Sequence, residues 1–133
     1  MPTRDNAGWR WATVCAALGA LAVALGAFGA HGLEDAVTAR RLQTWETAAS
    51  YHGLHALAGL AAGVVVALTG SPLSLWAARL FVLGIVVFSG SLYTLVLTDT
   101  AMLGAITPLG GVAFIAGWLV LAFALWRQQS GER

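Results

Sequence analysis

The chain has 133 residues, 59% hydrophobic and only 10% charged. Water-soluble domains carry about 25% charged residues, so an ordinary soluble globule is excluded. A net charge of +1 provides no basic face for nucleic acid, and the single cysteine, Cys15, excludes an intrachain disulfide or a thiolate metal cluster.

Four stretches carry no Asp, Glu, Lys or Arg: Trp11 to Leu33, Thr47 to Ala78, Leu80 to Thr98, and Thr100 to Trp126. A helix needs roughly 20 apolar residues to cross a bilayer. The pattern predicts helix 1 at 10–31, helix 2 at 50–69, helix 3 at 74–97 and helix 4 at 107–127. Arg4 and Arg10 before the first run also fit a secretory signal, with Ala27-Phe28-Gly29 as a weak cleavage site. That run is longer than the roughly 7–15 apolar residues of a signal peptide, which favours a retained helix. The segment from Glu34 to Ser50 is polar, with Ala39, Leu42, Trp45, Ala49 and His52 recurring every three or four residues. This spacing predicts an amphipathic helix lying on the outer surface and running into helix 2. Gly70-Ser71-Pro72 is turn chemistry between helices 2 and 3. Thr107 is expected to cap helix 4, with Pro108 at its first position. Gly110-Gly111 is a candidate interruption of that helix. The short links predict antiparallel neighbours, and the absence of linkers or repeats predicts one domain over 1–133.

Arginine counting orients the bundle. One side carries Arg4, Arg10, Arg79, Arg127 and Arg133, and the other only Arg40 and Arg41. Both termini are therefore expected in the cytoplasm. Trp9, Trp11, Trp76 and Trp126 are expected at the inner interface, with Trp45, Tyr51 and Tyr93 near the outer one.

All three histidines fall at the outer end. His31 closes helix 1, while His52 and His55 open helix 2 on one face. Gly59, Ala62, Gly63 and Val66 continue that face, which should pack against another helix. Ser89, Ser91, Tyr93 and Thr94 lie at the same depth, with Thr107 at the start of helix 4 and Glu46 and Asp99 in the outer loops. Burying imidazole in hydrocarbon is costly without a partner, so these groups are the candidate polar pocket. Three readings follow. The first is a structural hydrogen-bond cluster locking the helix ends. The second is a metal or haem site built on imidazole, with His31 and His55 as ligands. The third is a pocket for a lipid, a quinone or a transported solute. No Gly-x-Ser-x-Gly motif or phosphate-binding loop supports a hydrolase.

Several blocks together resemble a known family. They are Gly26-Ala27-Phe28-Gly29-Ala30-His31-Gly32-Leu33, Tyr51-His52-Gly53-Leu54-His55-Ala56-Leu57, and Phe88-Ser89-Gly90-Ser91-Leu92-Tyr93. Thr107-Pro108-Leu109-Gly110-Gly111 and Ala116-Gly117-Trp118 follow in helix 4. The chain is similar to the YgdD-like small inner-membrane proteins, the domain-of-unknown-function 423 group, which also resembles animal transmembrane protein 256. The resemblance implies a four-helix integral membrane protein and no established reaction. His31, His55, Tyr51, Ser89, Ser91, Tyr93, Thr107 and Pro108 match its pattern. His52 falls where relatives can carry Gln, which leaves His31 and His55 as the implied pair.

The resulting expectation is an all-α, four-transmembrane-helix antiparallel bundle in the bacterial inner membrane. Its role is non-enzymatic, with no catalytic residues and no cofactor expected. It binds the bilayer, a lipid, a partner membrane protein or a second copy of itself, as an accessory or assembly subunit. The alternatives are a metal-, haem- or quinone-binding protein and a small-solute or lipid transporter.

Overall fold

A computed structural model describes residues 6–131. The described residues form α1 (Asn6–Gly32), α2 (Ala39–Thr69), α3 (Pro72–Gly84), a π turn (Ile85–Ser89), α4 (Gly90–Thr98), a 3₁₀ turn (Ala101–Ala105) and α5 (Thr107–Gln129). Four helical segments are long and apolar enough to cross a membrane: Asn6–Gly32, Ala39–Thr69, Pro72–Thr98 and Ala101–Gln129. The chain is an all-α integral membrane protein. The expected Arg4 and Arg133 lie outside the described residues.

The helices run antiparallel in chain order. α2 lies against α1 on one side and against α3 and α4 on the other, while α5 packs on α3 and the π turn. The α1–α2 seam follows from small residues. Gly8, Cys15, Ala22 and Gly29 are buried on α1 at intervals of seven, and Trp45, His52, Gly59 and Val66 answer them on α2. A seven-residue repeat is the pattern of left-handed packing at about 20°. Glycine allows the close approach: a Cβ on Gly63 would lie 2.7 Å from the backbone nitrogen of Ala12, and one on Gly59 would lie 2.6 Å from Cys15 Sγ.

Helix ends follow local chemistry. Thr38 caps α2 by accepting from the Arg41 amide at 3.4 Å. Gly70 closes α2 in the left-handed conformation at φ 68°, Ser71 caps α3, and Pro72 opens it. Asp99 ends α4 at φ 56°, a conformation that short polar side chains tolerate.

Four expectations are corrected. The polar segment before helix 2 is helical, but it neither lies flat nor stands apart: Ala39–Thr69 is one continuous helix of 31 residues. At 1.5 Å per residue it is about 46 Å long, against roughly 30 Å of hydrocarbon, so its first turns stand beyond the apolar layer. Trp45 holds those turns upright by burying its indole in the bundle. Glu46 is accordingly an exposed helical residue, not a loop residue. Thr107 does not cap α5, because its hydroxyl turns back to Ser91. Gly110-Gly111 does not interrupt α5, because a Cβ on Gly110 would strike the Phe88 backbone: the glycine serves close packing.

The seam yields a test. Gly63→Val should destabilise the protein by about 2 kcal/mol or more, because rigid backbone fills the space. Gly26→Ala, where a Cβ meets nothing within 4 Å, should shift stability by less than about 0.5 kcal/mol. Thermal unfolding in one mild detergent compares the two.

Candidate functional site

The polar side chains at the end of the bundle away from the termini are built in three pieces. The first joins α2 to α4. His52 is 2% exposed, and its Nδ1 lies 3.0 Å from Tyr93 Oη. Tyr93 also packs on Trp45, with ring centroids 4.6 Å apart. Trp45 is seated deeply, donating from Nε1 to the Leu25 carbonyl at 2.7 Å and meeting Phe28 edge-on. Gly29 makes room for that indole, because a Cβ there would collide with it. Leu33, Trp45 and Val96 form the buried apolar floor beneath this group.

The second piece surrounds the π turn. Ser89, fully buried, donates to the Ala48 carbonyl of α2 at 2.8 Å. Ser91 donates to the Phe88 carbonyl at 2.9 Å and shares a 2.8 Å bond with Thr107 of α5. A π turn inserts one residue into the helical ladder and often marks a functional segment. Ser89 and Ser91, two positions apart, face opposite neighbours, as residues two apart on any helix do.

The third piece is aromatic. His55 donates from Nδ1 to the Tyr51 carbonyl at 2.7 Å, because a carbonyl can only accept. In the neutral ring this leaves Nε2 as a bare lone pair. The imidazole lies flat on Phe114, with centroids 3.5 Å apart and planes 9° apart. Tyr51 stacks on Phe88 at 4.7 Å, and Phe81 meets Trp118 edge-on at 5.2 Å, so rings enclose His55.

The structure brings together His52 with Tyr93, Ser91 with Thr107, and Tyr51 with His55. It does not bring in His31 or Glu46. His31 is exposed in the last turn of α1 and contacts neither of the other imidazoles. Glu46 faces outward, and it is Arg41 and Asp99 that pair as ions across α2 and the α4 end. Among the described residues no three His, Cys, Asp or Glu side chains converge as metal ligands. A cleft of about 670 Å³ opens at the opposite end, between Thr69, Ser71, Arg127 and Gln128, and none of the expected site residues lines it.

Trp45, expected near the outer interface, is also 1% exposed within the bundle. Its position seven residues before His52 on the buried stripe was the signal for that burial. Tyr93, expected at the same level, packs against this cluster.

The family described as "Protein of unknown function (DUF423)" matches residues 25–111. The chain belongs to this family. A UPF0382 membrane protein, YwdK, of Bacillus subtilis is 52% identical over 109 residues, covering 78% of this chain and 85% of the relative. UPF0382 membrane proteins of Staphylococcus epidermidis and Staphylococcus saprophyticus are 51% identical over 104 residues and 48% identical over 107 residues. They cover 78% and 80% of this chain, and 84% and 88% of the relatives. No solved structure matches the chain. The segment shared with the DUF423 family contains Trp45, His52, Ser89, Ser91, Tyr93 and Thr107, and so the whole interhelical polar network. Phe114 and Trp118, which enclose His55, lie beyond it.

The pairing of His52 with Tyr93 can be measured. A double-mutant cycle of Tyr93→Phe and His52→Phe, followed by unfolding in detergent, should return a coupling of about 0.6–1.7 kcal/mol, the range of hydrogen bonds between membrane helices. Additive effects would show that the two side chains do not work as a pair.

Proposed function

We propose that this member of the DUF423 family is a non-enzymatic accessory or assembly subunit of the bacterial inner membrane, acting by binding a partner protein or lipid. One observation carries the reading. The side chains suited to chemistry are engaged in holding helices together: Ser89 bonds the α2 backbone, Ser91 bonds Thr107, and His52 bonds Tyr93. A nucleophile needs a neighbouring base, and here each serine hydroxyl faces a carbonyl or another hydroxyl instead. By contrast, large apolar side chains cover the outside of α1, α3 and α5, among them Val23, Leu83 and Leu119. The work of such a protein lies on its outer surface.

Arginine placement supports cytoplasmic termini. Arg10, Arg79 and Arg127 lie toward the end bearing the termini, while the acidic residues among those described, Glu34, Asp35, Glu46 and Asp99, lie at the other end. The native Cys15 is 1% exposed and gives little background to a thiol probe. In intact cells a membrane-impermeant maleimide should label Asp35→Cys and spare Gln128→Cys until the membrane is opened. The reverse pattern would invert the topology.

Crosslinking at native expression level tests the binding role. The chain should be recovered joined to a distinct membrane protein or to another copy of itself. Recovery as isolated monomers alone, with short and long crosslinkers, would remove the protein-partner reading.

A further inference from the structure

We propose that the face carrying Trp76, Arg79 and Leu83 of α3 and Val86 of the π turn, with Trp11 of α1 beside it, holds one anionic phospholipid by its headgroup phosphate. This rests on the reading of the chain as a binding protein of the membrane, and it names one lipid partner.

Arg79 is an exposed arginine inside a membrane-crossing segment, Pro72–Thr98. It sits seven residues, about 10 Å, from the start of that helix. Its guanidinium has no hydrogen bond and no ion pair among the described residues, where the ion pair is Arg41–Asp99 at the other end. A cation left uncompensated at that depth is costly, so the site calls for an anion. The long side chain allows its head to rise to the phosphate level.

Two rings fix where the head sits. The guanidinium carbon lies 5.1 Å from the Trp76 ring centroid and 5.9 Å from that of Trp11. These ring contacts take up none of the guanidinium's N–H donors in hydrogen bonds, so its fork remains available. That fork matches two oxygens of a phosphate. The two rings come from different helices, α1 and α3, which otherwise barely meet, so the groove between them stays open toward lipid.

The occupant is a lipid, not free phosphate, because the site continues into hydrocarbon. Residues 76, 79, 83 and 86 share one helical face. Leu83 and Val86 are 52% and 62% exposed, directly below the arginine. They provide an apolar track for an acyl chain under the bound headgroup. Net anionic lipid is favoured over zwitterionic lipid because every described carboxylate lies at the opposite end of the bundle.

Native mass spectrometry of the full-length protein from a mild non-ionic detergent tests this. Phosphatidylglycerol and phosphatidylcholine of equal chain length are added in competition. The wild type should retain phosphatidylglycerol by about fivefold or more over phosphatidylcholine, and Arg79→Gln should bring the ratio within about twofold of unity. Trp76→Leu should lower the ratio as well. Arg127→Gln removes the same charge at the same end, from a side chain placed over Phe123 instead, and should leave the ratio intact. Equal retention of the two lipids, no effect of Arg79→Gln, an equal loss in Arg127→Gln, or displacement by millimolar inorganic phosphate would each overturn the site. Loss of the lipid preference with crosslinked partners intact removes this site alone. The preference persisting without crosslinked partners removes only the protein-partner reading.

Discussion

In hydrocarbon an apolar side chain gains nothing by leaving lipid for a neighbouring helix, so cohesion depends on how closely two backbones can approach. The α1–α2 seam is where this constraint is met most fully. Gly8 and Gly63 let main chain lie on main chain, Gly59 makes room for the Cys15 side chain, and Gly29 opens a seat for Trp45. The rest of the polar end follows from that seat. Trp45 anchors to the Leu25 carbonyl, Tyr93 packs on Trp45, and the Tyr93 hydroxyl is thereby aimed at His52. The position of a buried imidazole is thus traceable in part to Gly29, which lies on a different helix and carries no chemistry.

A second close approach shapes the other half of the bundle. Gly110 rests on the Phe88 backbone, and Gly84 faces the Phe114 ring. Between Gly84 and Gly90 the helix widens into the π turn. Such a turn loosens the regular ladder, and two serines refasten it: Ser89 reaches across to α2, and Ser91 bonds back to Phe88 and outward to Thr107. The hydroxyls that the sequence places in a candidate polar pocket are therefore the means by which an irregular backbone is held in an apolar solvent. Leaving such groups unpaired there would cost several kcal/mol each.

The four spans were legible because hydrophobic length is a strong signal and every charge falls near a span end. The packing face of α2 was legible too, since Gly59, Ala62, Gly63 and Val66 extend the stripe of His52 and His55. Burial within the bundle was less legible. Trp45 reads as an interfacial residue because tryptophan favours that level, and its indole is in addition packed between Phe28 and Tyr93. Thr107 followed by Pro108 has the composition of a cap, but a nearby serine outcompetes the helix amides for its hydroxyl. His31 shares a depth with His52 and faces outward. Spacing along one helix says nothing of rotation relative to another. The π turn had no signature beyond glycines and serines, which are equally at home in a regular helix.

The two ends of the bundle differ in how their polar groups are satisfied, and that difference locates where the protein can act. Away from the termini, hydroxyls meet carbonyls, a phenol meets an imidazole, and Arg41 meets Asp99. The exception is His52, whose Nε2 is buried without a hydrogen-bond partner among the described residues. Toward the termini, Arg79 rests on tryptophan rings with its donors unused, on a surface that faces lipid. Rings position a cation without neutralising it, because cation–π attraction leaves the net charge in place. Among the described residues no carboxylate lies at that end to neutralise it. Arg79 therefore differs from Arg41, whose charge is met by Asp99 within the fold.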